Sequence, residues 1–141
     1  MSAGELLLTL TARGIPIPQG SKKAFVVAGR ARMIDDNAEA LKPWRKTVEK
    51  AAQGAMVANN FQGPVAGAVA VAVLFQIERP TSVKRALPHV RPDLDKYQRA
   101  VLDALTTAGV WKDDGQVTTI SARKVYGSTP GARVSVYRDE E

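Results

Sequence analysis

The stretch RPDLDKYQRAVLDALTTAGVWKDDGQ, residues 91–116, decides how the rest of the chain is read. Pro92 disfavours a helical conformation at Arg91 and suits the approach to a helix, so a helix is expected to start at Asp93 or Leu94. From there Leu94, Tyr97, Val101, Leu105 and Ala108 recur at spacings of three and four, which makes one apolar face of an amphipathic helix. Gly109 reads as its stop. Asp95 and Arg99 are four apart and share an exposed stripe, while Asp93 sits at the boundary, where non-helical backbone can turn its side chain toward the same region. Asp113-Asp114-Gly115 is a turn signal. It is expected to bring a third carboxylate near the helix N-terminus if the strand that follows lies alongside. Asp103 reads as structural or solvated.

Upstream, the segment from Arg79 to Arg91 holds Arg79, Lys84, Arg85, His89 and Arg91 and no carboxylate. It reads as a basic arm that orders on a phosphate backbone, against the plainer alternative of a solvated loop. His89 reads as a loop histidine. Before it, Val65 to Ile77 is nearly all apolar and Val-rich, a central strand buried on both sides. The stretch from Ala38 to Asn59 has helical spacing through Leu41, Trp44, Val48, Ala52, Ala55 and Met56. Pro43 falls in its first turn or splits off a short preceding helix. Asp35, Asp36 and Asn37 are candidate caps, and Lys42, Arg45, Lys46 and Lys50 line the outer face. Leu6 to Thr11 reads as a first strand, followed by a stiff Pro-containing segment over 15–21 and then Lys22 and Lys23. Those two lysines are either a solvated loop end or a phosphate-contacting loop. Phe25 to Ala28 is a short strand or hairpin arm. Downstream, Val117 to Tyr126 and Arg133 to Tyr137 read as two strands joined by a Gly- and Pro-containing loop. The order of elements fits one α+β domain over residues 1–141, a mixed sheet with two main helices packed on it.

Composition bounds the chemistry. Among 141 residues, 20 Lys and Arg face 14 Asp and Glu, a net charge of +6, yet five aspartates crowd into residues 93–114. A basic chain suggests a polyanionic partner, and clustered carboxylates suggest a hard cation such as Mg²⁺ that shares its oxygen ligands with phosphate. The absence of Cys excludes disulfides and thiolate chemistry, and a single His argues against a His-rich zinc site or a Ser-His-Asp triad. The first residues lack a signal-peptide pattern and no run of about 18 apolar residues occurs, so a soluble, cytoplasmic protein is expected.

Arg91-Pro-Asp-Leu-Asp95, Val101-Leu-Asp-Ala-Leu105, Trp111-Lys-Asp-Asp-Gly-Gln-Val117 and the downstream Lys124 together resemble the RusA family of Holliday junction resolvases, small phage and prophage endonucleases. Gly14 to Lys23 is similar to the Pro- and Gly-containing basic loop that many members place after their first strand, and Trp44 on the first helix fits as well. The resemblance implies a homodimeric, Mg²⁺-dependent nuclease, with Mn²⁺ as a substitute ion, that binds four-way DNA junctions and nicks two opposing strands symmetrically. Asp93 and Asp95 match the family's paired aspartates, and Asp114 its essential aspartate in the second acidic pair. The position after Asp95, commonly Asn, is Lys96 here, and the position four beyond Asp95, commonly Lys, is Arg99. Arginine stays protonated, so Arg99 can clamp phosphate or meet developing charge but cannot act as a general base.

On this reading Asp93, Asp95 and Asp114 hold one or two metal ions, and Arg99 and Lys124 meet charge at phosphorus. Lys22, Lys23, Arg79, Lys84, Arg85, Arg91, Lys96 and Lys124 contact DNA. Two other readings are a branched- or single-stranded-DNA binding protein whose aspartates are caps, and a less specific metal-dependent nuclease acting on flaps or forks.

Overall fold

A computed structural model describes residues 3–20, 22–27, 29–35 and 38–140, with residues 3, 22–27 and 31–35 as backbone only. Six strands and two helices follow one another: β1 (Ala3–Arg13), β2 (Lys22–Val27), β3 (Arg30–Asp35), α1 (Ala38–Ala58), β4 (Val69–Ile77), α2 (Leu94–Ala108), a 3-10 turn (Asp114–Gln116), β5 (Val117–Tyr126) and β6 (Gly131–Asp139). The main sheet has the order β1-β6-β4-β5, with β4 and β5 parallel and the other pairs antiparallel; β2 and β3 form a separate hairpin. This is the mixed-sheet α+β domain with two helices that the sequence leads one to expect.

Alternation explains which face is covered. Leu8, Leu10 and Ala12 of β1, Val69, Val71, Val73 and Phe75 of β4, and Ala132, Val134 and Val136 of β6 are buried at every second position and join one core. The helices supply the other half of that core. Leu41, Trp44, Val48 and Ala52 form the inner stripe of α1, and Tyr97, Ala100, Val101, Ala104 and Leu105 that of α2. The central strand β4 is shorter than the sequence indicates, beginning at Val69. Both helices join the core on one face, and on the other face β4 offers only Ala70, Ala72, Leu74 and Gln76. The strand is therefore fully packed on one face and only partly covered on the other, which corrects the expectation of burial on both sides.

α1 runs unbroken through Pro43. Of its candidate caps, Asp36 and Asn37 lie outside the described residues, and Asp35 ends β3. Gly109 closes α2 in the left-handed conformation (φ 91°), its N–H directed at the carbonyls of Leu105 and Thr106. The chain then turns and β5 runs back toward the start of α2. That reversal places Asp114 and Lys124 relative to α2.

Candidate active site

Asp93 is the N-cap of α2 and Asp95 lies in its first turn. Both are exposed. The Asp93 carboxylate makes no capping hydrogen bond, so its oxygens remain available to a ligand at the helix start. Arg99 follows Asp95 by one turn and is exposed; Asp103 follows by two turns and is half-buried. The stripe therefore alternates in charge along the helix. Lys96 is half-buried beside it, and the Gln19 N–H donates to its carbonyl at 3.0 Å, which docks the Pro-containing segment onto the first turn of α2. Lys22 and Lys23 follow that segment, but their side chains lie outside the described residues.

Asp114 is not at this end of the helix. It starts the 3-10 turn and accepts a hydrogen bond from the Thr106 hydroxyl, which in turn accepts from the buried indole N–H of Trp111 at 2.7 Å. Thr106 lies about 16 Å along the helix axis from Asp95, at 1.5 Å per residue. The expectation that the aspartate turn comes near the helix N-terminus is thus corrected. β5 does lie alongside α2, but the turn that begins it leaves from the C-terminal end of the helix. Among the described residues no three His, Asp or Glu side chains gather closely enough to hold one metal ion.

Asp114 instead meets Asp103. Asp103 is pushed above the ordinary carboxylate range, first by burial and then by the neighbouring Asp114; Arg45 and Arg99 pull it the other way. Arg45 of α1 approaches Asp103 at 3.8 Å, so one of the four cations assigned to the outer face of α1 turns toward α2. The turn itself is locked by Gln116. Its amide donates to the carbonyls of Val65 (2.8 Å) and Gly67 (2.9 Å), and its oxygen accepts from the N–H groups of Lys112 and Asp113. Asp113 caps the turn, accepting from Gly115 N–H at 3.0 Å. The Asp-x-x-Gln spacing of residues 113–116 carries this capping box in the sequence. The roles of Thr106 and Trp111 have no comparable signal, because they depend on the fold of the turn.

The basic segment is a packed loop rather than a free arm. Arg85 donates to the Tyr126 hydroxyl at 2.8 Å, and Arg79 stands over the Tyr126 ring at 5.7 Å. Lys124 donates to the carbonyls of Val90 and Pro92, each at 2.6 Å. Two of its three N–H donors thus fasten the residues that lead into Asp93. Lys84 and Arg91 remain exposed on the loop.

Carboxylates facing solvent at a helix start, with exposed cations on the adjoining loop and one turn along the helix, define a protein fitted to handle a polyanion. The family model Endodeoxyribonuclease RusA matches residues 14–137, and the chain belongs to that family. The activity class that membership implies is endonucleolytic cleavage of DNA at Holliday junctions. The chain is also 26% identical over 137 residues to the uncharacterized protein YqaN of Bacillus subtilis (strain 168), a match that covers 92% of this chain and 94% of that protein.

Proposed function

We propose that the protein is a homodimeric, divalent-metal-dependent endonuclease that resolves four-way DNA junctions by paired symmetric nicks. The observation that carries this reading is the pair of exposed carboxylates at the start of α2, one of them an N-cap that makes no cap, in a chain of this family.

All-oxygen donors at Asp93 and Asp95 suit Mg²⁺ or Mn²⁺. Bound there, the ion would neutralise phosphate charge and make water easier to deprotonate, which removes the need for a histidine base. Arg99, one turn along, supplies a fixed positive charge toward the same phosphate. Lys124 acts through the backbone by holding the carbonyls of Val90 and Pro92, and so positions Asp93. Arg79, Lys84, Arg85, Arg91, Lys96 and the Lys22-Lys23 segment supply cationic surface for the DNA backbone.

Asp114 can share an ion with Asp93 and Asp95 only if it comes from a second copy. A two-fold axis perpendicular to α2 would make the two copies of the helix antiparallel and bring the Asp114 end of one toward the Asp93 end of the other. The same axis suits a four-way junction and paired cuts.

The test is nicking of a labelled immobile four-way junction by the wild type and by Asp95→Asn, each with Mg²⁺ and with EDTA, beside linear duplex, flap and fork controls. Symmetric Mg²⁺-dependent nicks by the wild type alone, with the variant still binding, support the proposal. Equal binding and no cutting by either protein would favour a DNA-binding role, and stronger cutting of flaps or forks would favour a less specific nuclease.

A further inference from the structure

A cavity of about 160 Å³ lies behind the basic loop, next to the start of α2, and the reading above gives it no role. Tyr97 and Tyr126 contribute to its walls from the body of the protein, Pro88 and Val90 from the loop, and Glu78, Arg85 and Lys124 also line it. Both rings are held in place. Tyr97 packs on Phe75 with centroids 5.2 Å apart, and Tyr126 is held by Arg85 and Arg79. A preformed cavity of about 150 Å³ with apolar walls admits one six-membered aromatic ring, so this one suits a single ring better than a fused pair.

Apart from the Glu78 carboxylate, the polar side chains that line it are donors. The Tyr126 oxygen accepts from one nitrogen of Arg85 and keeps its own proton to donate, while the guanidinium retains further N–H groups. A matching ligand is a flat ring with acceptor atoms on its edge. Position adds the rest. Arg91 and Pro92, which also line the cavity, lead directly into Asp93, and Tyr97 follows Asp93 by about 6 Å of helix rise. The cavity therefore adjoins the segment that carries the carboxylates, where the base of a nucleotide whose phosphate is held there would be sought.

We propose that the cavity behind the basic loop takes a single-ring nucleobase, unstacked from the DNA strand whose phosphate lies at Asp93 and Asp95. The proposal rests on the junction-nuclease reading and adds to it a site that selects where the strand is engaged.

The test measures binding to a four-way junction, intact and with an abasic site replacing in turn each nucleotide around the branch point, by the wild type and by Val90→Trp. Val90 is 46% exposed on the loop, so the larger ring fills the cavity mouth without entering the core. One abasic position should weaken wild-type binding about fivefold or more, the scale of one lost base–aromatic contact. Val90→Trp should bind the intact junction with a similar deficit and lose nothing further at that position. A flat abasic profile in the wild type overturns the proposal whether or not the variant folds. So does a Val90→Trp protein that keeps both wild-type affinity and the wild-type profile. No binding of the wild type to any DNA removes the nuclease reading itself, a result distinct from either of these.

Discussion

The indole N–H of Trp111 donates to the Thr106 hydroxyl at 2.7 Å, and that hydroxyl donates to the Asp114 carboxylate. A fully buried ring thus sets the orientation of a half-exposed acid at the other end of a two-bond relay. Thr106→Val keeps the shape and removes the relay. It takes away the nearer acceptor of the buried indole N–H and leaves only Asp114 Oδ1 at 3.5 Å, at a cost of about 1 kcal/mol. If Asp114 serves the proposed chemistry, junction nicking should also fall by about 10- to 100-fold, the scale seen when a supporting group of a metal ligand is removed. Thr106→Ser should restore both, as read by denaturant midpoint and single-turnover nicking.

Asp95→Asn removes one exposed carboxylate at the start of α2. The fold should be unaffected, with an unchanged melting midpoint, because the side chain has no core contact to lose. Nicking should drop by more than about 100-fold, since losing a ligand costs at least as much as losing its support. Retained cleavage in Mg²⁺ would remove Asp95 from the proposed centre.

Lys124 is expected to act as an anchor. Lys124→Met gives up two charge-assisted hydrogen bonds to the carbonyls of Val90 and Pro92, which should cost about 2 kcal/mol. Limited proteolysis should then cut within residues 79–91 faster than in the wild type. A variant as resistant as the wild type would argue that the loop is held by Tyr126 alone.

The carboxyl groups give stability a pH dependence of two signs. Asp103 has a raised pKa, so the folded state holds its proton more tightly than the unfolded state does. Stability from this group therefore falls as pH rises from near 3.8 through the raised folded value, and Asp103→Asn should flatten that part of the curve. Asp139 accepts from the hydroxyls of Thr118 and Thr119, both at 2.7 Å, which holds its pKa below the ordinary value. Its contribution is present above the unfolded pKa and is lost as pH falls through the folded one. Denaturant titrations of Asp103→Asn and Asp139→Asn across the acid range separate the two.

Two glycines should respond differently to alanine. At Gly109 a methyl group meets nothing within 4 Å, so Gly109→Ala pays only for the left-handed conformation, about 1 kcal/mol. At Gly131 a Cβ would lie 2.4 Å from the Ala12 carbonyl oxygen, inside the β1–β6 pairing, and the cost should exceed about 2 kcal/mol. Denaturant unfolding of the two variants checks the ranking.

Much of the fold was legible because it is written in local periodicity. The spacing of Leu94, Tyr97, Val101 and Leu105 specifies α2, Gly109 specifies its end, and the apolar run from Val65 to Ile77 specifies the inner strand, though not its start at Val69. Strand order was not legible, since pairing β4 in parallel with β5 and antiparallel with β6 depends on contacts between residues more than 40 apart in the chain. The exposed pair Asp93 and Asp95 could be read from the sequence, because a helix start and its first turn fix both positions. Where Asp114 falls could not. The sequence by itself determined that acids sit at both ends of the segment 93–114. Only the tertiary structure decided that they stay apart within one chain, because β5 must run back along α2 and so begins at the far end of the helix. The same reversal sets Asp114 against Asp103 and Thr106, and brings Lys124 and Tyr126 to the loop that leads into Asp93.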